Sequence, residues 1–246
     1  IAWVLTLNLV ATAAATPLTG WLAAKLGWRR LVLGSLLGFT ASSAACGAAD
    51  SFESLLIFRV IHGVFGAPIF PMGQSIILAR FEKHQHPMAL MMWGVGGVMG
   101  PILGPTFGGL IGDLLDWRWS FFMILPLGLA ACIPVLFSLG NEEKGTARRF
   151  DFIGFFCIAI AIGSLQLMFD RGQRLDWFYS TEIIIECCLA VGFFYFFAVH
   201  ATFAREPLFD ARTFRDRNLV LGILFAFFMG MLQYTPMILF PSLLQD

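Results

Sequence analysis

Charged residues are scarce in this chain. Only 13% of its 246 residues are Asp, Glu, Lys or Arg, whereas soluble proteins carry about a quarter. Hydrophobic residues make up 58%, and the mean hydropathy is +0.79. The 16 basic and 16 acidic residues cancel, so no net charge attracts nucleic acid. The composition excludes a soluble domain and indicates an integral membrane protein.

Motifs of several functional classes are also missing. The sequence has no G-x-x-x-x-G-K-[ST] motif, which argues against an ATP-driven pump. Its five cysteines lie in apolar segments without a second Cys or a His at metal-ligand spacing, so neither a disulfide framework nor a metal site is indicated. No loop carries a pair of carboxylates in a recognisable catalytic arrangement. We therefore expect no enzymatic activity and no cofactor.

Eight apolar segments have about the length that a helix needs to cross a bilayer. Short connections between them contain nearly all the charged residues, as expected where hydrocarbon excludes ions and each backbone must be satisfied within its own helix. The sequence predicts an all-α membrane protein with spans at 1–24, 31–49, 52–78, 88–112, 119–139, 152–169, 181–201 and 218–240.

The distribution of Lys and Arg predicts the orientation. Twelve of these residues fall in alternate connections, and only Arg118, Arg171 and Arg174 fall in the others. The positive-inside rule places the richer connections in the cytoplasm, at 25–30, 79–87, 140–151 and 202–217. Ile1 and Asp246 would then lie outside, and no Met or signal peptide precedes Ile1. We expect a helical bundle truncated at both ends.

Three motifs resemble the major facilitator superfamily. The first runs from Gly20 to Arg30 and is similar to the loop signature between that superfamily's second and third helices, with Gly20 and Gly27 at tight turns and Arg29 and Arg30 as cytoplasmic anchors. Ala24 stands where the family often has Asp, so this chain departs from the family there. An ordinary basic loop would share several of these features.

The second motif is Leu56-Ile-Phe-Arg59-Val-Ile-His62-Gly63, which resembles the family's Arg-x-x-Gln-Gly element with His62 in the Gln position. Helical spacing puts Arg59, His62, Gly63, Gly66 and Gln74 on one polar face. Packing of small residues explains the glycines but not a cation inside a span. His62 has two interpretations, as a hydrogen-bonding residue or as a group that titrates near neutral pH.

The third motif is similar to the antiporter signature G-x-x-x-G-P-x-x-G-G, which in this family is typical of exporters. Glycines also recur every fourth residue from Gly96 to Gly112, a pattern that permits close helix contact and is shared by simple dimerisation faces. The residues that match the signature are Gly100, Gly104, Pro105, Gly108 and Gly109.

The rest of the chain resembles the fourteen-helix drug:proton antiporters of EmrB and QacA type. Asp116-Trp-Arg-Trp-Ser-Phe-Phe is similar to the start of their sixth helix, and two spans replace the long loop between halves of twelve-helix members. The resemblance implies helices two to nine of fourteen. It divides the chain into 1–139 (N-terminal half), 140–201 (connection and inserted hairpin) and 202–246 (connection and first helix of the C-terminal half).

The resemblance implies a secondary active multidrug exporter that exchanges protons for hydrophobic or cationic compounds. Candidate residues for substrate binding or proton coupling are Arg59, His62, Gln74 and Glu186, although Glu186 could equally be structural because it lies on the inserted hairpin. A major-facilitator uptake carrier for a small polar solute or organic anion is an alternative. A non-transporting membrane scaffold is another.

The implied location is the bacterial cytoplasmic (inner) membrane, as a multi-pass protein. Its expected partners are drug-like small molecules, protons and membrane lipid, with no nucleic acid. Relatives in double-membrane bacteria work with a periplasmic adaptor and an outer-membrane channel, and the resemblance extends this possibility to the present chain.

The orientation can be tested by cysteine accessibility in whole cells. Gln173 lies in a connection that the distribution of Lys and Arg places outside. A cysteine introduced at position 173 should react with a membrane-impermeant maleimide added to intact cells. Reaction only after the cytoplasmic side is opened would reverse the predicted topology.

Overall fold

The computed structural model describes residues 2–138, 149–204, 206–209, 213 and 215–243, and these residues contain helices without any β-strand. Turns of 3-10 helix lie at Gly172–Leu175 and Trp177–Tyr179. The α-helices are α1 (Ala2–Ala15), α2 (Leu18–Leu26), α3 (Trp28–Gly47), α4 (Phe52–Gly66), α5 (Ile69–Arg80), α6 (His86–Leu114), α7 (Trp119–Phe122), α8 (Ile124–Ser138), α9 (Phe152–Arg171), α10 (Thr181–Phe203) and α11 (Arg217–Leu243).

The structure confirms the predicted all-helical membrane architecture. Five helical segments of the described chain are long and apolar enough to cross a membrane, and they match the third to seventh predicted spans. The pair α1 and α2 would add a sixth, while α3 and α11 cover the second and eighth predicted spans. The five segments are Phe52–Arg80, His86–Gly112, Trp119–Phe137, Phe152–Leu175 and Thr181–Phe203.

Prolines interrupt three of the predicted spans. The first was predicted as a continuous helix over 1–24, but α1 and α2 meet at a bend of 58° next to Pro17. Proline has no N–H to donate and its ring crowds the preceding turn, which explains the break. Pro68 lies between α4 and α5, which still form one spanning segment, and Pro126 lies just after the break between α7 and α8.

Helix α3 lies between α4 and α8. Four of its hydroxyl-bearing residues are buried, which makes this helix less apolar than its neighbours. Thr40 Oγ1 donates to the Leu36 carbonyl at 2.7 Å, and Ser43 Oγ donates to the Phe121 carbonyl at 2.9 Å. Because these hydroxyls have backbone acceptors, they can be buried at little cost.

The inserted hairpin, formed by α9 and α10, packs against α1. It was predicted at 140–201, with its own spans at 152–169 and 181–201. The structure extends the helices to Arg171 and Phe203. The predicted boundary at 139 and 140 lies outside the described residues, as do most residues of the following connection.

Asp151 fixes the end of the hairpin that is predicted to be cytoplasmic. Its carboxylate accepts hydrogen bonds from the Gly154 amide at 2.9 Å, the His200 ring at 2.8 Å and the Leu208 amide at 3.2 Å. Burial alone would raise the pKa of the Asp151 carboxyl, but these hydrogen bonds outweigh burial and lower that pKa below its usual value. Ionised Asp151 therefore links α9, α10 and the segment after α10.

We expect Asp151→Asn to destabilise the protein by about 1–3 kcal/mol at neutral pH, because the amide's N–H₂ group would face the donors that the carboxylate accepts. A lowered folded-state pKa gives stability that is present above the unfolded-state value of about 3.9 and is lost as the pH falls through the folded-state value. The difference in stability between Asp151→Asn and the wild-type protein should narrow in that acidic range.

Thermal melting in detergent measures this difference in stability. Asp50→Asn, at an exposed aspartate, is the matched control, and an Asp151→Asn gap independent of pH would contradict this account.

Candidate functional site

Arg59 lies on α4 and carries its positive charge inside a membrane-spanning segment. Its guanidinium carbon is 4.5 Å from the ring centroid of Phe121, so the cation rests on an aromatic face. The Nε atom is buried and has no hydrogen-bond partner among the described residues. No carboxylate in the described part of the chain forms an ion pair with Arg59. This leaves a buried donor available to another group.

His62 lies one helical turn after Arg59 and is buried, with 6% of its surface exposed. Its ring stacks on Phe39 of α3 with centroids 3.9 Å apart, and its Nδ1 is 3.2 Å from Asn8 Oδ1. With the Asn8 oxygen facing the ring, Nδ1 donates and Nε2 keeps its lone pair. Nε2 is buried and has no partner among the described residues. The site therefore presents an unused acceptor near an unused donor.

Gly63 allows α1 and α4 to come together beside this site. A Cβ atom at Gly63 would lie 2.5 Å from the Asn8 carbonyl oxygen, closer than any real contact. Thr12 Oγ1 crosses the same interface, 2.8 Å from the Asn8 carbonyl and 3.2 Å from the Gly63 carbonyl. The predicted small-residue packing at Gly63 is thus present, and it is what puts Asn8 within reach of His62.

The structure brings Arg59, His62, Gly63 and Gly66 together, but not Gln74. Gln74 is exposed on α5, beyond the helix break at Pro68, which disturbs the helical phase on which its prediction depended. Asn8, Phe39 and Phe121 also belong to the site and were not predicted from the sequence. Asn8 could have been found as the one amide side chain in the first apolar segment, whereas the two phenylalanines look like any others in the chain.

Glu186 belongs to a different group of side chains. It is buried on α10, with 8% of its surface exposed, and its Oε1 is 3.5 Å from Nη1 of Arg171. The same guanidinium pairs with Glu182 and lies over the ring of Trp3, 4.8 Å from its centroid. The structure therefore separates Glu186 from Arg59 and His62.

The loop signature after α2 is only partly explained by its geometry. Gly27 has a φ of 83°, which favours glycine, and it joins α2 to α3. Arg29 donates a 3.0 Å hydrogen bond to the Leu136 carbonyl near the end of α8, and Arg30 is exposed. Gly20 was predicted at a tight turn, but it lies inside α2, because the bend comes earlier at Pro17.

The antiporter signature lies on α6, beyond the part of that helix where Trp93 packs against Phe70 of α5. A Cβ atom at Gly100, Gly104, Gly108 or Gly109 would meet no atom within 4 Å. The predicted close helix contact is therefore absent from the described part of the chain, and the side chain of Pro105 lies outside the described residues. These glycines form an open small-residue strip on a membrane-spanning helix.

The fold and the site define a multi-pass helical membrane protein with a charged and a polar residue inside its bundle. The Major Facilitator Superfamily profile matches residues 1–246. The chain is 40% identical over 245 residues to the multidrug export protein EmrB of Escherichia coli K12, covering 99% of the chain and 48% of that protein. The chain belongs to the Major Facilitator Superfamily, and its relatives support the predicted EmrB type.

Two further relatives agree. The chain is 38% identical over 245 residues to the multidrug export protein EmrB of Haemophilus influenzae, covering 99% of the chain and 48% of that protein. It is 35% identical over 243 residues to the fatty acid resistance protein FarB of Neisseria gonorrhoeae, covering 96% of the chain and 48% of that protein. The chain thus spans about half the length of the curated relatives it matches.

We expect Gly63→Ala to destabilise the protein by about 1–3 kcal/mol, because the added methyl group would collide with the backbone of α1. Thermal melting in detergent would show the loss. Gly20→Ala is the matched control, since a Cβ atom there meets nothing within 4 Å and alanine favours a helix. Equal melting temperatures for the two variants would show that α1 and α4 do not meet as closely as the structure shows.

Proposed function

We propose that this chain forms part of a secondary active multidrug exporter that exchanges protons for hydrophobic or cationic compounds. The relatives named multidrug export proteins support the class of transport. The observation that carries the proposal for this chain is Arg59, a cation on α4 with a buried Nε that no described residue satisfies. Buried charges in membrane helices are costly and usually mark a functional pathway.

Arg59 is suited to orient a substrate or to stabilise a coupling acid. A guanidinium remains protonated under physiological conditions, so Arg59 itself would not carry the proton. Phe121 holds one face of the guanidinium while the Nε edge stays free. A substrate with an aromatic or acceptor group, or an acid elsewhere in the whole protein, would complete the site.

His62 fits a hydrogen-bonding role within the same proposal. Its Nδ1 faces Asn8 and its ring stacks on Phe39, so both contacts fix the ring in one orientation. The neutral ring then offers Nε2 as an acceptor towards the interior. This arrangement favours His62 as a residue that orients a polar group over His62 as the proton carrier.

The glycine strip of α6 completes the proposal for the whole protein. Gly100, Gly104, Gly108 and Gly109 leave space for another helix to approach the backbone, and the relatives are about twice as long as this chain. We place the contact between the two halves of the exporter here. From the similarity to EmrB we also propose that the exporter lies in the inner membrane. Its proposed partners are a periplasmic adaptor and an outer-membrane channel.

Arg59→Ala in the full-length protein should abolish proton-driven export at normal expression, while Arg59→Lys keeps partial activity because the charge persists without the planar guanidinium. The assay is dye accumulation in inside-out vesicles with an imposed pH gradient, at matched protein levels. Arg215→Ala, which removes an exposed arginine, is the matched control and should export normally.

The same vesicles separate the competing functions. Unchanged export by Arg59→Ala would remove Arg59 from the mechanism. Inward movement of a small polar solute or organic anion, without efflux of drugs, would favour an uptake carrier. Absence of any flux in the wild-type protein would favour a scaffold.

A further inference from the structure

The inserted hairpin carries a second charged cluster, apart from Arg59, at the end where α1 begins. We call it the hairpin cluster, and it comprises Trp3 and Thr6 of α1, Asp170 and Arg171 of α9, Arg174, and Glu182 and Glu186 of α10. Thr6 donates a hydrogen bond to Asp170, and Arg171 lies over Trp3. Two contacts therefore attach α9 to α1 at this end.

Arg171 also holds α9 to α10. Its Nη1 pairs with Glu182 and lies 3.5 Å from Oε1 of Glu186. The two glutamates are one helical turn apart on the same face of α10, where like charges repel. A single guanidinium nitrogen thus serves two carboxylates. Each carboxylate weakens the hold of the other on Arg171.

Burial distinguishes the two glutamates. The side chain of Glu182 is 47% exposed, whereas that of Glu186 is 10% exposed. The second oxygen of Glu186, Oε2, is buried and has no hydrogen-bond partner among the described residues. An ionised carboxylate with an unsatisfied buried oxygen is costly, and protonation lowers that cost by removing the charge.

Charge counting over the cluster gives the same result. The carboxylates that face this region are Asp170, Glu182 and Glu186, and the cations are Arg171 and Arg174. With all five ionised, one negative charge is in excess. Asp170 accepts a hydrogen bond from Thr6, and Glu182 is half-exposed to solvent. Protonation of Glu186 therefore lowers the cost of the excess negative charge more than protonation of Asp170 or Glu182 would.

We propose that Glu186 is a proton-binding site on the inserted hairpin, and that its proton sets how firmly Arg171 ties α10 to α9 and α1. The ligand is a proton taken from the aqueous phase at this end of the bundle, predicted to be the outer one. Binding converts the carboxylate to a carboxylic acid and leaves Arg171 paired with Glu182 alone. Release of the proton restores the shared pairing. The consequence for export rests on the proposed function, but the proton site itself does not.

Infrared difference spectroscopy of the full-length protein in lipid tests the site without transport. A carboxylic acid has a C=O band that the carboxylate lacks, so stepwise acidification should produce a band from Glu186. The band should be missing in Glu186→Gln. It should persist in Glu53→Gln, which changes an exposed glutamate at the start of α4. The same band in Glu186→Gln would overturn the proposal.

The neighbours give opposite shifts that a merely structural Glu186 would not show. Arg171→Gln removes the cation, so the Glu186 band should appear at higher pH. Glu182→Gln leaves Arg171 to Glu186 alone, so the band should appear at lower pH. Shifts in the same direction, or none, would contradict the shared pairing.

The effect on export is measured separately in vesicles. The pH is varied on the membrane side that faces outward in the cell and is kept constant on the cytoplasmic side. Glu186→Gln should lose the dependence of export on outer pH that the wild-type protein shows, while some export remains. If wild-type protein shows no export but the infrared band behaves as expected, the proposed function fails and the proton site stands. If export is normal and the band is absent, the proton site fails alone.

Discussion

The contact between α1 and α4 at Gly63 places the polar groups around His62. The absence of a side chain at Gly63 lets the α1 backbone approach to a distance that even alanine would prevent. Asn8 is thereby brought to His62, and Thr12 bridges the two helices. On its other side α1 meets the hairpin through Thr6 and Trp3. Thr6 and Asn8 are two positions apart, about 200° around a helix, so they face different neighbours.

Arg59 and the hairpin cluster differ in whether their charge can change. Arg59 keeps a permanent charge beside an aromatic ring and has no described carboxylate partner, so it acts through position and donor geometry. Arg171 shares itself between two carboxylates, one of them buried, so protons can change its pairing. In the proposed exporter, the fixed charge would lie on α4 and the titrating group on α10.

The fold could largely be predicted from the sequence, because the bilayer imposes helix length and hydrocarbon excludes charge. The breaks were harder to place. Pro17 ends α1, although the apolar segment continues without interruption to Ala24. Arg59 and His62 could be predicted as neighbours because helical spacing alone brings them together. The position of Gln74 relative to Arg59 and His62 could not be predicted, since the helix break at Pro68 lies between Gln74 and these two residues.

Contacts between helices could not be predicted from the sequence. Nothing in the apolar segment around Asn8 indicates that this amide meets His62, and the pairing of Glu186 with Arg171 depends on how the hairpin closes. The glycines of α6 show the opposite case. Their spacing is conspicuous, yet a Cβ atom at Gly100, Gly104 or Gly108 would meet no described atom within 4 Å, because spacing identifies a surface fit for close packing and does not supply the partner.

These contacts also determine which parts of the bundle can move. Close backbone packing at Gly63 fills the space between α1 and α4, so these helices can slide past each other only by losing that contact. At the end where α1 begins, the hairpin is held by Thr6 with Asp170 and by Trp3 with Arg171, two contacts of polar or charged groups. Such contacts can exchange with water or with a proton at smaller cost than a packed core can be rearranged. Packing of α1 against α4 at Gly63 is therefore harder to rearrange than the polar contacts at this end of the hairpin.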